Sequence, residues 1–309
     1  MREPFPALTN LRLWSADLGA TAPIISQGFL SESTRLQKIT LGSISFPTLP
    51  NLLLSCGDLI SLRLMEIPNS GYISPEAMVA GLSSLSQLKT LEIGFSSPRS
   101  CSGRRLPPPS IRSTISTLTE FTFKGSSEYL EDLVARMDTP SLHEFDILFF
   151  HQLIFDVPQL SQFICRTEGL GSPDKATVLS SEIAVSLRLL QVARSTGSPI
   201  VRSFSLNIPY KDLDWQISSV AQICLQSLPL LSGVKKLSID STAEQAVASL
   251  FRPFTAVEEL CVSEPLGSQI ALALAGATRQ AEIQMLPALR STSFKEPLGF
   301  TSVPEIFEP

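Results

Sequence analysis

Two histidines, His143 and His151, and five cysteines, Cys56, Cys101, Cys165, Cys224 and Cys261, are the side chains best suited to metal or nucleophile chemistry. A metal centre needs three or four such ligands converging on one point. Glu144 and Asp146 follow His143 closely, but adjacent residues of an extended strand point to opposite faces, so His143 and Glu144 cannot share an ion. The cysteines are far apart, odd in number and form no C-x-x-C pair, so they suggest no disulfide framework and fit a reducing cytoplasmic or nuclear compartment. Cys56, Cys165 and Cys224 lie among apolar residues and read as small core hydrophobes. There is no G-x-S-x-G, no phosphate-loop signature and no H-E-x-x-H. Gly169-Leu170-Gly171 lacks the third glycine of a dinucleotide fingerprint. A Ser–His–Asp triad is recognised by geometry, and nothing in the sequence suggests one. The expectation is therefore a chain without catalytic centre, metal or cofactor.

The stronger signal is apolar. Leu88-Lys89-Thr90-Leu91-Glu92-Ile93 reads L-x-x-L-x-L, and the pattern recurs. Copies lie at Leu8/Leu11/Leu13, Leu36/Ile39/Leu41, Leu59/Leu62/Leu64, Leu118/Phe121/Phe123 and Leu142/Phe145/Ile147. Further copies lie at Val201/Phe204/Leu206, Val234/Leu237/Ile239, Val257/Leu260/Val262 and, frayed, Leu289/Thr292/Phe294. Intervals run mostly from 23 to 33 residues. This spacing predicts a leucine-rich-repeat solenoid: an α/β architecture with a curved, all-parallel inner sheet and short helices and loops outside. The wide interval from Leu142 to Val201 is expected to hide a degenerate repeat.

Within each copy the fourth and sixth positions face the core, so the third and fifth face away. These outward positions place Arg12, Lys38 and Arg63 on the first three strands. Glu92, Glu120, Glu144 and Asp146 fall on the next three. Trp14, just beyond the first strand at an outward position, joins them as a candidate contact. The pattern predicts a concave protein-binding wall, basic at one end and acidic further along.

Composition bounds the possibilities. The 309 residues are 43% hydrophobic and 17% charged, with a net charge of −5, so the strongly basic footprint of a nucleic-acid binder is missing. No apolar run reaches the roughly 18 residues of a membrane span. The N-terminus leads into the first strand without an apolar signal-peptide region. That first strand is expected to present an unpaired edge and to promote self-association.

Ser74-Pro75-Glu76 opens a helix with N-cap, first-turn proline and favourable acid, its buried stripe being Met78, Val79, Leu82 and Leu85. Further helices are expected at 20–33, 48–54, 127–137, 158–165, 216–228, 243–251 and 266–275. Trp215 precedes the 216–228 helix and is read mainly as packing its entrance. Residues 96–110, rich in proline and serine, form an insertion carrying Arg99, Arg104 and Arg105. In the degenerate region 167–200, residues 177–180 and 183–189 alternate like strands. Ile183, Leu187, Leu190 and Arg194 also fall on helical spacing, and the strand reading is adopted. The domain assignment is one solenoid over 1–295 and a loose tail over 296–309.

The stretches Glu128–Arg136 with Asp138-Thr139-Pro140, Gln152–Asp156 with Pro158-Gln159-Leu160, Asp214-Trp215-Gln216 and Leu250–Phe254 resemble the repeat portion of F-box-like proteins of mushroom-type fungi. The resemblance implies substrate capture for a cullin ubiquitin ligase. No F-box precedes Leu8, so a cullin adaptor is an expected partner only if one lies upstream. Ala16, Ile44, Ile67, Ser96 and Ser126 replace the usual Asn or Cys, and irregular curvature is expected. A structural or regulatory scaffold unconnected to ubiquitin, and a GTPase-activator-like solenoid, are the alternative readings.

Overall fold

A computed structural model describes residues 7–15, 24, 35–98, 111–150, 155–180, 184–193, 200–209, 220, 222–223, 229–241, 251–263 and 286–295. The strands are β1 (Asn10–Trp14), β2 (Lys38–Gly42), β3 (Ser61–Ile67), β4 (Thr90–Phe95), β5 (Ser113–Thr114), β6 (Glu120–Gly125) and β7 (Met137–Asp138). Beyond them come β8 (Glu144–Phe149), β9 (Lys175–Ser180), β10 (Ala184–Ala193), β11 (Ile200–Pro209), β12 (Lys236–Ser241), β13 (Glu259–Ser263) and β14 (Ser291–Lys295). Four α-helices are described: α1 (Leu49–Leu53), α2 (Pro75–Leu82), α3 (Ser127–Val134) and α4 (Pro158–Arg166).

The leucine-rich-repeat solenoid expected from the spacing is not the architecture found. The chain is an α/β fold built on one 12-stranded, mostly parallel sheet, in the order β1-β2-β3-β4-β6-β8-β11-β10-β9-β12-β13-β14. Two findings overturn the expectation. The strand order departs from sequence order between β8 and β12, and β10 runs antiparallel to both its neighbours. The physical reason lies in the links. Residues 181–183 and 194–199 are far shorter than the dozen or so residues that a parallel crossover requires, so each must turn the chain back. The interval from Leu142 to Val201 holds β8, α4, β9 and β10, and β9 runs parallel to β12 with its buried Ala176 and Val178 level with Leu237 and Ile239, in the place expected for the degenerate repeat. The strand reading of 177–180 and 183–189 agrees with β9 and β10.

The apolar positions meet in register. Leu11, Ile39, Leu62, Leu91, Phe121, Phe145 and Phe204 form one row across the core face, and Leu41, Leu64, Ile93, Phe123, Ile147 and Leu206 another. All are buried. Aromatic packing fixes the junction that reorders the sheet. Phe121 stacks on Phe145 at 5.0 Å, and Phe204 and Phe163 meet the edges of Phe145 at 5.8 and 5.7 Å. Such pairs add about 0.5–1.5 kcal/mol each beyond their burial. They favour β11, not β9, as the partner of β8.

The helices cover this core face. In α2, Ser74 accepts a hydrogen bond from the Ala77 amide at 3.2 Å, Pro75 is first and Glu76 lies in the first turn, as the sequence indicates. The apolar stripe of α3 matches the expected one, except that Met137 belongs to β7, which pairs with β5. Glu131 of α3, buried, accepts hydrogen bonds from the Gln159 and Leu160 amides at 2.9 and 2.7 Å and so caps α4. In return Arg166 of α4 pairs with Asp138 at 2.6 Å and donates to the Val134 carbonyl at the end of α3 and to the Met137 carbonyl of β7. Each helix satisfies orphan groups of the other.

Cys56 is buried, and burial pushes its thiol up to about 11. Cys165 is exposed, against expectation. Phe163 and Ile164 take the buried positions of α4 and turn Cys165 outward. The expected helix at 266–275, and most of those at 20–33, 216–228 and 243–251, lie outside the described residues; Ile24, the described residue of 20–33, forms an isolated parallel bridge with Ser45. So do Trp215, His151, Cys101, Cys224, the loop arginines Arg99, Arg104 and Arg105, and the tail 296–309. Among the described residues no helix is long and apolar enough to cross a membrane.

Candidate functional site

Alternation within each strand places every second side chain on the face opposite the helices. The registers collect the eight candidate residues there. One row reads Asn10, Lys38, Ser61, Thr90, Glu120, Glu144 and Ser203. The next reads Arg12, Thr40, Arg63, Glu92, Thr122, Asp146 and Ser205. Trp14 stands level with Gly42 in the row above. Neighbouring strands are about 4.8 Å apart, so each row is a continuous array.

Electrostatics divide the face. Arg12, Lys38 and Arg63 are exposed at the β1–β3 end. At the boundary Arg63 pairs with Glu92 at 3.7 Å. Burial pushes the Glu92 carboxyl above the usual range, with Arg63 opposing the shift. Thr90 donates to Glu120 Oε2 at 3.1 Å, and Glu120 is the register neighbour of Glu144. Glu144 is raised by burial and then by the charges of Asp146 and Glu120, with His143 acting the other way. Asp146 is raised by burial, while a Ser205 hydrogen bond and the Arg188 charge pull it down. Glu144 on β8 is therefore repelled by both Asp146 and Glu120, with Glu92 close by on β4.

Several residues of this face escape the repeat pattern. Arg188 of β10 stands two strands from Asp146, and Lys175 of β9 lies beyond it, so the face turns basic again. Neither follows from the L-x-x-L-x-L spacing, because the sheet order puts them there. Glu66 was also missed. A register shift between Leu64 and Ile67, with Glu66 at φ 51°, lets its carboxylate reach Lys124 across Gly94. Met65, Glu66, Glu92, Gly94, Thr122 and Lys124 line a shallow depression there. The glycine opposite a strand of larger residues was the available signal.

No group of three or more His, Cys, Asp or Glu able to hold a metal ion occurs among the described residues. His143 lies beside the Ser141 carbonyl at 3.4 Å, before β8. The face offers fixed charges together with exposed aromatic and aliphatic surface at Trp14, Val192 and Val201. No family model matches this chain and no curated protein matches it, so what the face can do rests on its own residues.

Proposed function

We propose that this chain is a non-enzymatic protein-binding module whose open sheet face receives a partner. The observation that carries the reading is the segregation of charge on that face. Arg12, Lys38 and Arg63 occupy one end, and Glu92, Glu120, Glu144 and Asp146 occupy the adjoining strands. Charges meant only for solubility are better mixed in sign, whereas segregated rows steer a complementary surface and set its register. The partner would lay a basic segment over β4–β8.

The experiment is affinity purification with the full chain, followed by rapid-mixing kinetics with the recovered protein. Reversing Glu92, Glu120 and Glu144 to lysine should slow association, more at low salt than at physiological salt, because screening falls to about 8 Å there. Unchanged rates at low salt would move recognition off this face. The resemblance to F-box-like proteins supports one class of partner, a ubiquitin-ligase substrate. Co-purification of a cullin adaptor would favour it over a scaffold unconnected to ubiquitin.

A further inference from the structure

The basic end of the open face contains a preformed aromatic seat. Trp14, at the end of β1, is 44% exposed although it lies level with Gly42 of β2. A Cβ built on Gly42 would come within 2.1 Å of Trp14 Cε3 and 2.4 Å of Cζ3. The indole therefore rests on the backbone of β2, in the space that the missing side chain leaves. It is fixed before any partner arrives, so little side-chain entropy remains to be lost on binding.

Cations lie to one side of this ring, further down the same face. In register, Thr40 lies between Arg12 on one side and Arg63 on the other, with Lys38 two residues below and Gly42 two residues above. Two strand spacings and four residues of strand give a patch of about 10 by 13 Å, enough for roughly four extended residues. A buried or half-buried aromatic flanked by arginine is the composition of energetic anchors at interfaces.

We infer that Trp14, seated on Gly42 and flanked by Arg12, Lys38 and Arg63, is the anchor site for a short acidic peptide segment carrying an apolar side chain. The inference rests on the proposed reading of the open face and names the chemistry of the other half of its ligand. Charge decides the occupant. The three cations attract carboxylates, while Glu92 lies one strand beyond Arg63 and Glu120, Glu144 and Asp146 follow on the next two. A long polyanion such as nucleic acid would run from the patch into that acidic zone. A peptide acidic over a few residues and basic thereafter matches both.

The test uses the full chain with Trp215→Phe, leaving Trp14 as the sole indole of the two in the sequence. The probes are capped heptapeptides with a central leucine, flanked by aspartate and glutamate, by asparagine and glutamine, or by lysine and arginine, and an oligothymidylate of similar length. Calorimetry gives affinity and Trp14 emission gives position. The acidic peptide is expected to bind at least about 10-fold more tightly than the neutral one at low salt, to weaken with salt, and to shift Trp14 emission. Trp14→Ala should cost about 10-fold or more, the range of an interface anchor. Gly42→Ala should displace the ring, change emission of the free protein and weaken the acidic peptide, with cooperative unfolding retained. Equal affinity for acidic and neutral peptides, or full affinity in Trp14→Ala, overturns the proposal. Binding of the basic peptide alone, lost on Glu120→Lys, overturns this anchor but leaves the open-face reading standing. Preferential binding of oligothymidylate replaces the peptide with a nucleic acid, and no binding by any probe also overturns the anchor.

Discussion

Removing the Glu131 carboxylate should loosen the helical layer that backs the site. Pro158 has no amide hydrogen, and the Ser161 amide is satisfied by the Val157 carbonyl at 3.2 Å. The remaining first-turn amides of α4, Gln159 and Leu160, both donate to Glu131. Glu131→Ala strands these two donors at a helix start where Leu160 is almost fully buried. Each stranded donor costs about 1–3 kcal/mol, and they share one carboxylate, so the loss is about 3–4 kcal/mol. At about 2 °C per kcal/mol for a chain this large, the melting temperature should fall by roughly 6–8 °C. Glu131→Gln keeps one oxygen acceptor without charge and should lose about half as much. Glu76→Ala, an exposed acid in the first turn of α2, should lose no more than about 1 kcal/mol. Urea and thermal unfolding followed by circular dichroism measure all three. A loss in Glu131→Ala no larger than in Glu76→Ala would refute the argument that Glu131 caps α4.

Two further outcomes are expected. Leu91→Ala, buried between Leu62 and Phe121, should cost about 2–5 kcal/mol. Thr90→Ala faces outward and should stay within about 1 kcal/mol even with its Glu120 hydrogen bond lost, so equal melting shifts would sink the face assignment. The second outcome concerns pH. Glu92, Glu144 and Asp146 have folded pKa values raised above their ordinary ones. Their contribution to stability is complete below the unfolded carboxylate range and is lost as pH rises through the folded values. Glu144→Gln combined with Asp146→Asn should therefore raise the melting temperature at neutral pH and make little difference in acid. A lowered melting temperature at neutral pH would show that the charged forms are stabilising.

The sequence by itself determined the strands and their two faces. Alternation requires that Leu91 and Ile93 enter the core if Thr90 and Glu92 do not, and each parallel copy inherits the same constraint. The helix start at Ser74-Pro75-Glu76 was equally legible, because its capping chemistry is local. Arg12, Trp14, Lys38, Arg63, Glu92, Glu120, Glu144 and Asp146 could be assigned to one face for this reason. Strand order was not local. The repeat spacing suggested parallel neighbours throughout, and it was the short links 181–183 and 194–199 that turned β10 against the sheet, while the aromatic packing of Phe204 on Phe145 favoured β11 beside β8. Only that rearrangement placed Arg188 near Asp146. Likewise, Trp14 and Gly42 lie 28 positions apart in the chain. Nothing in either neighbourhood says that the ring fills the space the glycine leaves. Contacts of that kind depend on register between distant strands, which the whole sheet decides.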